Sequence, residues 1–225
     1  KNPEIFIAAL EQIPIHWYDG LTLNGGMTTH PGRGMELIVH VVRVIKRRYP
    51  ELVISVEITP PADLAWIDRL KEAGVYSLMM NLEVWDLDVR TRLIPGKDKL
   101  CPRDSYFAAF ERAVEVFGKN NVTSCFIVGA EPIESLKEGM YEVIKASVIP
   151  SPLVGRYFED VPGYSFEPAA VSGAELYEII NWAATCMSVR SLTSHSKLGC
   201  VTCGMCDLIR DLGPVQPYCP PAWIH

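Results

Sequence analysis

Short apolar runs alternate with longer segments whose apolar residues recur at helical spacing along most of the chain. Five apolar runs predict strands, at 20–26, 52–61, 75–86, 121–131 and 147–153. The amphipathic segments that follow them predict helices, at 34–50, 62–74, 103–118, 132–146 and 172–187. This alternation is typical of parallel strands joined by crossover helices. We therefore predict an α/β fold, a partial (β/α) TIM-like barrel, with an open flavodoxin-like sheet as the alternative.

The last part of the chain has a different character. Residues 188–225 show no helical or strand periodicity, and they hold four of the seven cysteines. We therefore divide the chain into a barrel unit, 1–187, and an irregular cysteine-rich tail, 188–225. A segment shorter than about 40 residues usually needs a metal or a partner surface to hold its shape.

Charge and composition narrow the class of protein. The formal net charge of −6 argues against nucleic acid or an acidic membrane surface as the main partner. No apolar run is long enough to span a bilayer, and the opening "KNPEIFIAALEQ" lacks the layout of a signal peptide. An odd number of cysteines, seven, without a secretory signal disfavours a disulfide framework. We expect a cytoplasmic protein.

Candidate ligand-binding residues follow successive predicted strands, at the carboxyl ends where parallel α/β folds bind ligands. The adjacent Gly25 and Gly26 leave backbone N–H groups open to a ligand. Glu57 follows the next strand. Asn81 and Glu83 follow the third, and their spacing of two places them on one face of an extended chain. A carboxylate and an amide on one face suit vicinal hydroxyls, such as those of a ribose.

The fourth strand end, "CFIVGAEP", offers an apolar wall and a glycine, which suit an adenine ring. Each of these features also has an ordinary structural explanation, because adjacent glycines occur in tight turns and a glutamate at a strand end is commonly exposed. Their recurrence at successive strand ends favours a single nucleotide-like ligand, since one pocket would contact them all.

Four segments, in the order "TLNGG", "GRGMELIVHVVRVIKRRYPELVISVEITPP", "AGVYSLMMNLEVWDLDVRTRLIPGK" and "VTSCFIVGAEPIESLKEG", resemble the radical S-adenosylmethionine (radical SAM) enzymes. The resemblance is strongest to the branch that contains biotin synthase and lipoyl synthase. It spans about residues 15–153. It implies which residues contact the cofactor, S-adenosylmethionine. Gly25 and Gly26 would contact its methionyl group, Asn81 and Glu83 its ribose, and Arg92 (or Arg90) its carboxylate. Val128 and Gly129 would contact its adenine, and Glu57 is a further candidate.

The resemblance also implies a reaction. A catalytic [4Fe-4S] cluster would reduce S-adenosylmethionine, and the resulting 5′-deoxyadenosyl radical would abstract hydrogen from a small-molecule substrate, with a flavodoxin or ferredoxin as electron donor. The family's cluster motif, C-x-x-x-C-x-x-C, does not occur in the chain. We expect it upstream of Lys1, and a degenerate member that never reduces the cofactor is the alternative. Arg156, Tyr157 and Tyr164 are candidates for the substrate side, which late loops build in such barrels.

The tail cysteines Cys200, Cys203, Cys206 and Cys219 have the spacing of metal ligands. Three cysteines in one run and a remote cysteine followed by proline favour a second iron–sulfur cluster, which would be auxiliary to the catalytic one. Structural zinc is the alternative, and free thiols or a redox pair would be a third explanation. A non-catalytic metal-binding or iron–sulfur assembly protein on a barrel scaffold therefore stays open as the alternative function.

Overall fold

The structure, a computed structural model, describes residues 4–14, 17–156, 166–194, 197–203 and 206–212. Its strands are β1 (Gly20–Asn24), β2 (Val53–Glu57), β3 (Ser77–Met79), β4 (Val122–Val128) and β5 (Ile149–Val154). Its helices are α1 (Glu4–Leu10), α2 (Met35–Arg48), α3 (Ala65–Ala73), α4 (Leu87–Leu93), α5 (Pro95–Leu100), α6 (Arg103–Phe117), α7 (Ile133–Lys145), α8 (Gly173–Val189) and α9 (Cys200–Cys203).

The five strands form one parallel sheet in which they lie side by side in chain order, from β1 to β5. Because crossovers between parallel strands are almost always right-handed, steps in a single direction place the connecting helices on one face. A flavodoxin-like sheet would need a reversal of strand order, which the described strands do not show. The predicted partial barrel is therefore confirmed, and the sheet is open rather than closed.

The core lies between the sheet and its helices. Ile54 and Val56 point from β2 into this layer, and both are fully buried. On α2, Ile38, Val42 and Ile45 recur at helical spacing and are buried as well. The apolar positions that recur along the sequence are thus the side chains that pack between the sheet and its helices. Among the described helices, none is both long and apolar enough to cross a bilayer.

The structure differs from the sequence prediction mainly between residues 80 and 101. The strand predicted at 75–86 is limited to Ser77–Met79, and Asp86 instead caps α4 by accepting a hydrogen bond from the Val89 N–H. Two short helices, α4 and α5, were not predicted. With seven and six residues, and with Pro95 at the start of α5, they are too short to show a periodic apolar pattern.

The described part of the tail packs against the sheet face opposite the helices. The Ser77 hydroxyl donates to the Leu198 carbonyl at 2.8 Å, and the Ser151 hydroxyl donates to the Asp207 carboxylate. Ile209 of the tail is buried as well. Burial raises the pKa of Asp207. The tail is therefore anchored on two strands, and its described residues include a short helix, α9, where an irregular segment was predicted.

Candidate functional site

A polar cleft of about 260 Å³ opens at the carboxyl ends of β1, β2 and β3. Its lining includes four of the residues predicted for the cofactor. The full lining is Asn24, Gly25, Glu57, Ile58, Thr59, Asn81, Glu83 and Lys97. The parallel register explains why these residues meet. Asn24 on β1 pairs with Glu57 on β2, and this pairing places the two side chains at one level of the sheet. The residues predicted after β1, β2 and β3 therefore meet in one cleft, whereas those predicted after β4 do not line it.

Asn81 is held in one orientation at the floor of the polar cleft. Its Nδ2 donates to Glu57 Oε1 at 2.7 Å, while its Oδ1 accepts the Cys125 N–H at 3.1 Å. The Asn81 carbonyl accepts the Tyr106 hydroxyl at 2.9 Å, and burial raises the pKa of Tyr106, which keeps that donor protonated. An amide with both ends engaged is preorganised, so its side chain and that of Glu57 form one hydrogen-bonding unit.

Glu83 also lines the polar cleft, and it has a strained backbone conformation. Its φ is +71°, in the left-handed region that few residues other than glycine adopt. Hydrogen bonds to β4 on both sides stabilise this conformation, with Glu83 N–H donating to the Cys125 carbonyl at 2.8 Å and Ile127 N–H donating to the Glu83 carbonyl at 2.9 Å. Such strain persists only where the surrounding structure holds the residue in place.

Lys97 supplies the cation of the polar cleft. Its Nζ lies 2.8 Å from Glu83 Oε1, and the two side chains are only 18% and 24% exposed, so salt screens this pair less than a surface pair. Sequence reasoning missed Lys97. The sequence feature that indicates its position is Pro95-Gly96, which follows the end of α4 and begins α5. This break in the helix lets Lys97 fold back toward the strand ends.

The two arginines considered for the cofactor carboxylate have other positions. Arg92 is exposed on α4 and does not line the polar cleft. Arg90 is fully buried. Its guanidinium donates to the carbonyls of Leu82 at 2.6 Å and Cys101 at 3.1 Å, and its Nε donates to Asp98 at 2.7 Å. Arg90 thus holds the segment that presents Glu83, and it is a positioning residue.

The paired glycines have different environments. A Cβ on Gly25 would lie 2.9 Å from Ile58 Cδ1, so close packing explains this glycine. A Cβ on Gly26 would meet nothing within 4 Å, and the residue is exposed. Gly25 lines the polar cleft, whereas Gly26 only follows it.

The predicted adenine-side residues lie one strand further along the sheet. The Val128 side chain is fully buried toward the helices. Gly129 has a φ of +91°, and a Cβ there would lie 2.6 Å from the Ala169 carbonyl oxygen. Glu131, two residues later, accepts the N–H groups of Trp85 and Asp86 at 2.8 and 2.7 Å. These residues fix the backbone around the site, and none of them lines the polar cleft.

A second cleft, which we call the apolar cleft, opens at the carboxyl ends of β4 and β5. Its volume is about 470 Å³. The lining is mostly apolar and includes one arginine and one tail cysteine. The residues are Ile127, Leu153, Val154, Gly155, Arg156, Phe166 and Cys206. Of the substrate-side candidates, Arg156 lies here, and Tyr157 and Tyr164 lie outside the described residues.

The described cysteines do not assemble a metal site. Cys101, Cys125 and Cys186 are buried in different parts of the fold, and burial raises the pKa of Cys186 to about 11. Cys203 and Cys206 are exposed. The Cys200 side chain and all of Cys219 lie outside the described residues, and within those residues no group of His, Cys, Asp or Glu could hold a metal ion.

Comparison with known proteins gives one curated relative of note. The chain is 30% identical, over 155 residues, to bacteriochlorophyllide c C-7(1)-hydroxylase of Chlorobaculum limnaeum. The match covers 65% of the chain and 38% of that protein, so the chain spans well under half of its relative's length. No family model matches the chain.

Two solved structures superpose on most of the chain. Coproporphyrinogen III oxidase (HemN) of Escherichia coli, described as a radical SAM enzyme, gives a TM-score of 0.58 at 17% identity. The FeFe-hydrogenase maturase HydG of Carboxydothermus hydrogenoformans gives 0.59 at 16% identity. Each match covers 84% of this chain, and 46% and 44% of the respective structures. The chain has the fold of these two proteins. The biotin synthase and lipoyl synthase branch stays a prediction.

Proposed function

We propose that this chain is the cofactor-binding barrel of a radical SAM enzyme and that the polar cleft binds S-adenosylmethionine. The observation that carries the proposal is the convergence of Glu57, Asn81 and Glu83, all predicted for this cofactor from the sequence, on one cleft at the strand ends. The shared fold with HemN and the relationship to a hydroxylase support the same reaction class.

The residues of the polar cleft fit the charges of the cofactor. S-adenosylmethionine carries a sulfonium, an ammonium and a carboxylate, together with two ribose hydroxyls. Glu57 and Glu83 offer carboxylates to the hydroxyls and to positive charge, and Lys97 offers an ammonium to the carboxylate. In this proposal Lys97 takes the role that the resemblance implied for Arg92, because Lys97 is the cation that lines the cleft.

The described residues alone do not fit the catalytic [4Fe-4S] cluster, since they bring no three cysteines together. The proposal therefore requires cluster ligands outside the described residues. When bound, a reduced cluster would supply the electron that cleaves S-adenosylmethionine into methionine and a 5′-deoxyadenosyl radical. The chain's own residues would hold and orient the cofactor and keep water from the strand ends.

The tail cysteines and the partners belong to the proposal as well. We propose that Cys200, Cys203, Cys206 and Cys219 hold an auxiliary iron–sulfur cluster, with zinc as the alternative ligand. Cys206 supports this placement because it lines the apolar cleft next to the proposed cofactor site. A flavodoxin or ferredoxin would deliver the electron, and the substrate would be a small molecule.

Binding of S-adenosylmethionine tests the proposal directly. The experiment is equilibrium dialysis of labelled S-adenosylmethionine against the full-length protein, purified without oxygen, and against its Glu57→Gln variant. Glu72→Gln, an exposed glutamate on α3, is the matched control. Loss of a charge-assisted hydrogen bond costs about 1.5–3 kcal/mol, so Glu57→Gln should weaken binding roughly 10- to 100-fold. Equal affinity in the two variants, or no binding by the wild type, would refute the proposed site.

A further inference from the structure

The apolar cleft adjoins the polar cleft along the same edge of the sheet. The two are joined by a single backbone hydrogen bond, in which the Ile127 N–H donates to the Glu83 carbonyl at 2.9 Å. Glu83 lines the polar cleft and Ile127 lines the apolar cleft. The described lining residues of the two clefts do not overlap. A molecule in the apolar cleft would therefore lie beside one in the polar cleft without competing for its residues.

The chemistry of the apolar cleft differs from that of its neighbour. Ile127, Leu153, Val154 and Phe166 supply aliphatic and aromatic surface, and its volume of about 470 Å³ exceeds the 260 Å³ of the polar cleft. Pockets that bury most of a small organic ligand have volumes of about 300–1,000 Å³ and mostly apolar linings with a few polar groups. The apolar cleft meets both conditions.

Charge distinguishes the two clefts most clearly. Among the described lining residues of the apolar cleft, Arg156 carries the one charged side chain. A guanidinium binds carboxylate, sulfonate or phosphate oxygens in a planar, two-pronged geometry. The polar cleft contains two carboxylates, Glu57 and Glu83, against one lysine. Among the described lining residues, the apolar cleft thus offers an anionic group a cation, whereas the polar cleft places two carboxylates beside its lysine.

We propose that the apolar cleft is the substrate site and that it selects a largely apolar molecule bearing one anionic group, which Arg156 binds. The assignment of this cleft to the substrate rests on the proposed function. The binding preference itself rests only on the lining of the cleft.

A pair of fluorescent probes tests the preference. The anionic probe is 8-anilino-1-naphthalenesulfonate, and the neutral probe is N-phenyl-1-naphthylamine, which has the same rings without the sulfonate. Both are titrated into the full-length protein, its Arg156→Gln variant and an Arg47→Gln control, an exposed arginine that lines neither cleft. Because Arg156 is exposed, Arg156→Gln should weaken the anionic probe by about three- to tenfold. The neutral probe should change less than about twofold, since it makes no charged contact.

Two further measurements locate the binding. Leu153→Glu places a carboxylate in the apolar wall, so it should weaken both probes. Added salt should weaken the anionic probe on the wild type, and should have less effect on Arg156→Gln, because salt screens an exposed ion pair. Equal loss of both probes in Arg156→Gln, or unchanged binding of the anionic probe, would overturn the proposal. So would unchanged binding of both probes to a folded Leu153→Glu variant.

The proposed function can fail separately. Wild-type protein that binds no S-adenosylmethionine but discriminates the two probes through Arg156 would refute the cofactor site and retain the anion-binding cleft. Wild-type protein that binds S-adenosylmethionine without any effect of Arg156 on the probes would refute only the substrate class.

Discussion

Arg90 and Arg92 lie two residues apart on α4, and we predict very different effects of replacing them with methionine. Arg90 is fully buried, and it donates to the carbonyls of Leu82 and Cys101 and to the carboxylate of Asp98. Arg90→Met keeps most of the side-chain volume but leaves these acceptors without their donor. Arg92 is exposed, so Arg92→Met is the matched control.

The expected magnitude follows from the burial of the Arg90 pair. Removing one partner of a buried ion pair costs about 3–5 kcal/mol, because the other polar groups stay buried and lose their compensation. For a chain of this size, each kcal/mol lowers the melting temperature by about 2–4 °C, which predicts a drop of roughly 6–20 °C for Arg90→Met. A surface change such as Arg92→Met should stay within about 0.5 kcal/mol.

Urea unfolding followed by tryptophan fluorescence measures both variants against the wild type. Arg90→Lys adds a third comparison, since an ammonium can satisfy Asp98 but lacks the planar fork that reaches the two carbonyls together. We expect an intermediate loss for it. Unfolding free energies of Arg90→Met and Arg92→Met that agree within about 1 kcal/mol would refute the positioning role of Arg90.

Three further predictions concern other contacts of the fold. Glu131→Gln removes one of the carboxylate oxygens that accept N–H groups from Trp85 and Asp86, so it should lower the free energy of unfolding in urea by about 1–2 kcal/mol. The control Glu134→Gln changes an exposed residue and should be near neutral, and equal effects of the two changes would contradict this. Gly139→Ala should destabilise the fold by about 1–3 kcal/mol, because its Cβ would lie 2.6 Å from the Trp85 Cβ. Gly96→Ala has open space around the new Cβ, so it should stabilise the fold by up to about 1 kcal/mol. A stabilised Gly139→Ala variant would show that α7 can shift. Burial raises the pKa of Asp207 above 3.8. The protonated Asp207 carboxyl therefore contributes most to stability below that pH, and this contribution is lost as the pH rises through the folded-state pKa. Asp207→Asn cannot lose a proton, so its stability relative to the wild type should rise as the pH increases above about 4, and a pH-independent difference would contradict the assignment.

The sequence predicts the larger elements because burial and periodicity coincide in them. Five strands and the helices α2, α3, α6, α7 and α8 each bury a regular apolar face, so their existence follows from the apolar pattern. The strand order does not follow from that pattern. It separates the partial barrel from the flavodoxin-like alternative, and it depends on contacts between distant segments.

The cofactor site is only partly predictable for a related reason. Glu57, Asn81 and Glu83 follow strands directly, so the sheet itself brings them together. Lys97 reaches the same cleft through two short helices that leave no periodic signal. Sequence spacing also cannot tell Arg90 from Arg92. Residues two apart lie on nearly opposite sides of a helix, and tertiary packing decides that Arg90 is buried and Arg92 is exposed.

The central claim is that the protein cleaves S-adenosylmethionine, and the most direct measurement is of its products. The full-length protein would be reconstituted with iron and sulfide without oxygen, reduced with dithionite and incubated with S-adenosylmethionine. Mass spectrometry would then quantify 5′-deoxyadenosine and methionine. We predict that both form in equal amounts in the wild type and fall at least tenfold, about 1.4 kcal/mol, in Asn81→Ala. Intact S-adenosylmethionine after incubation with iron-loaded, reduced wild-type protein would contradict the account.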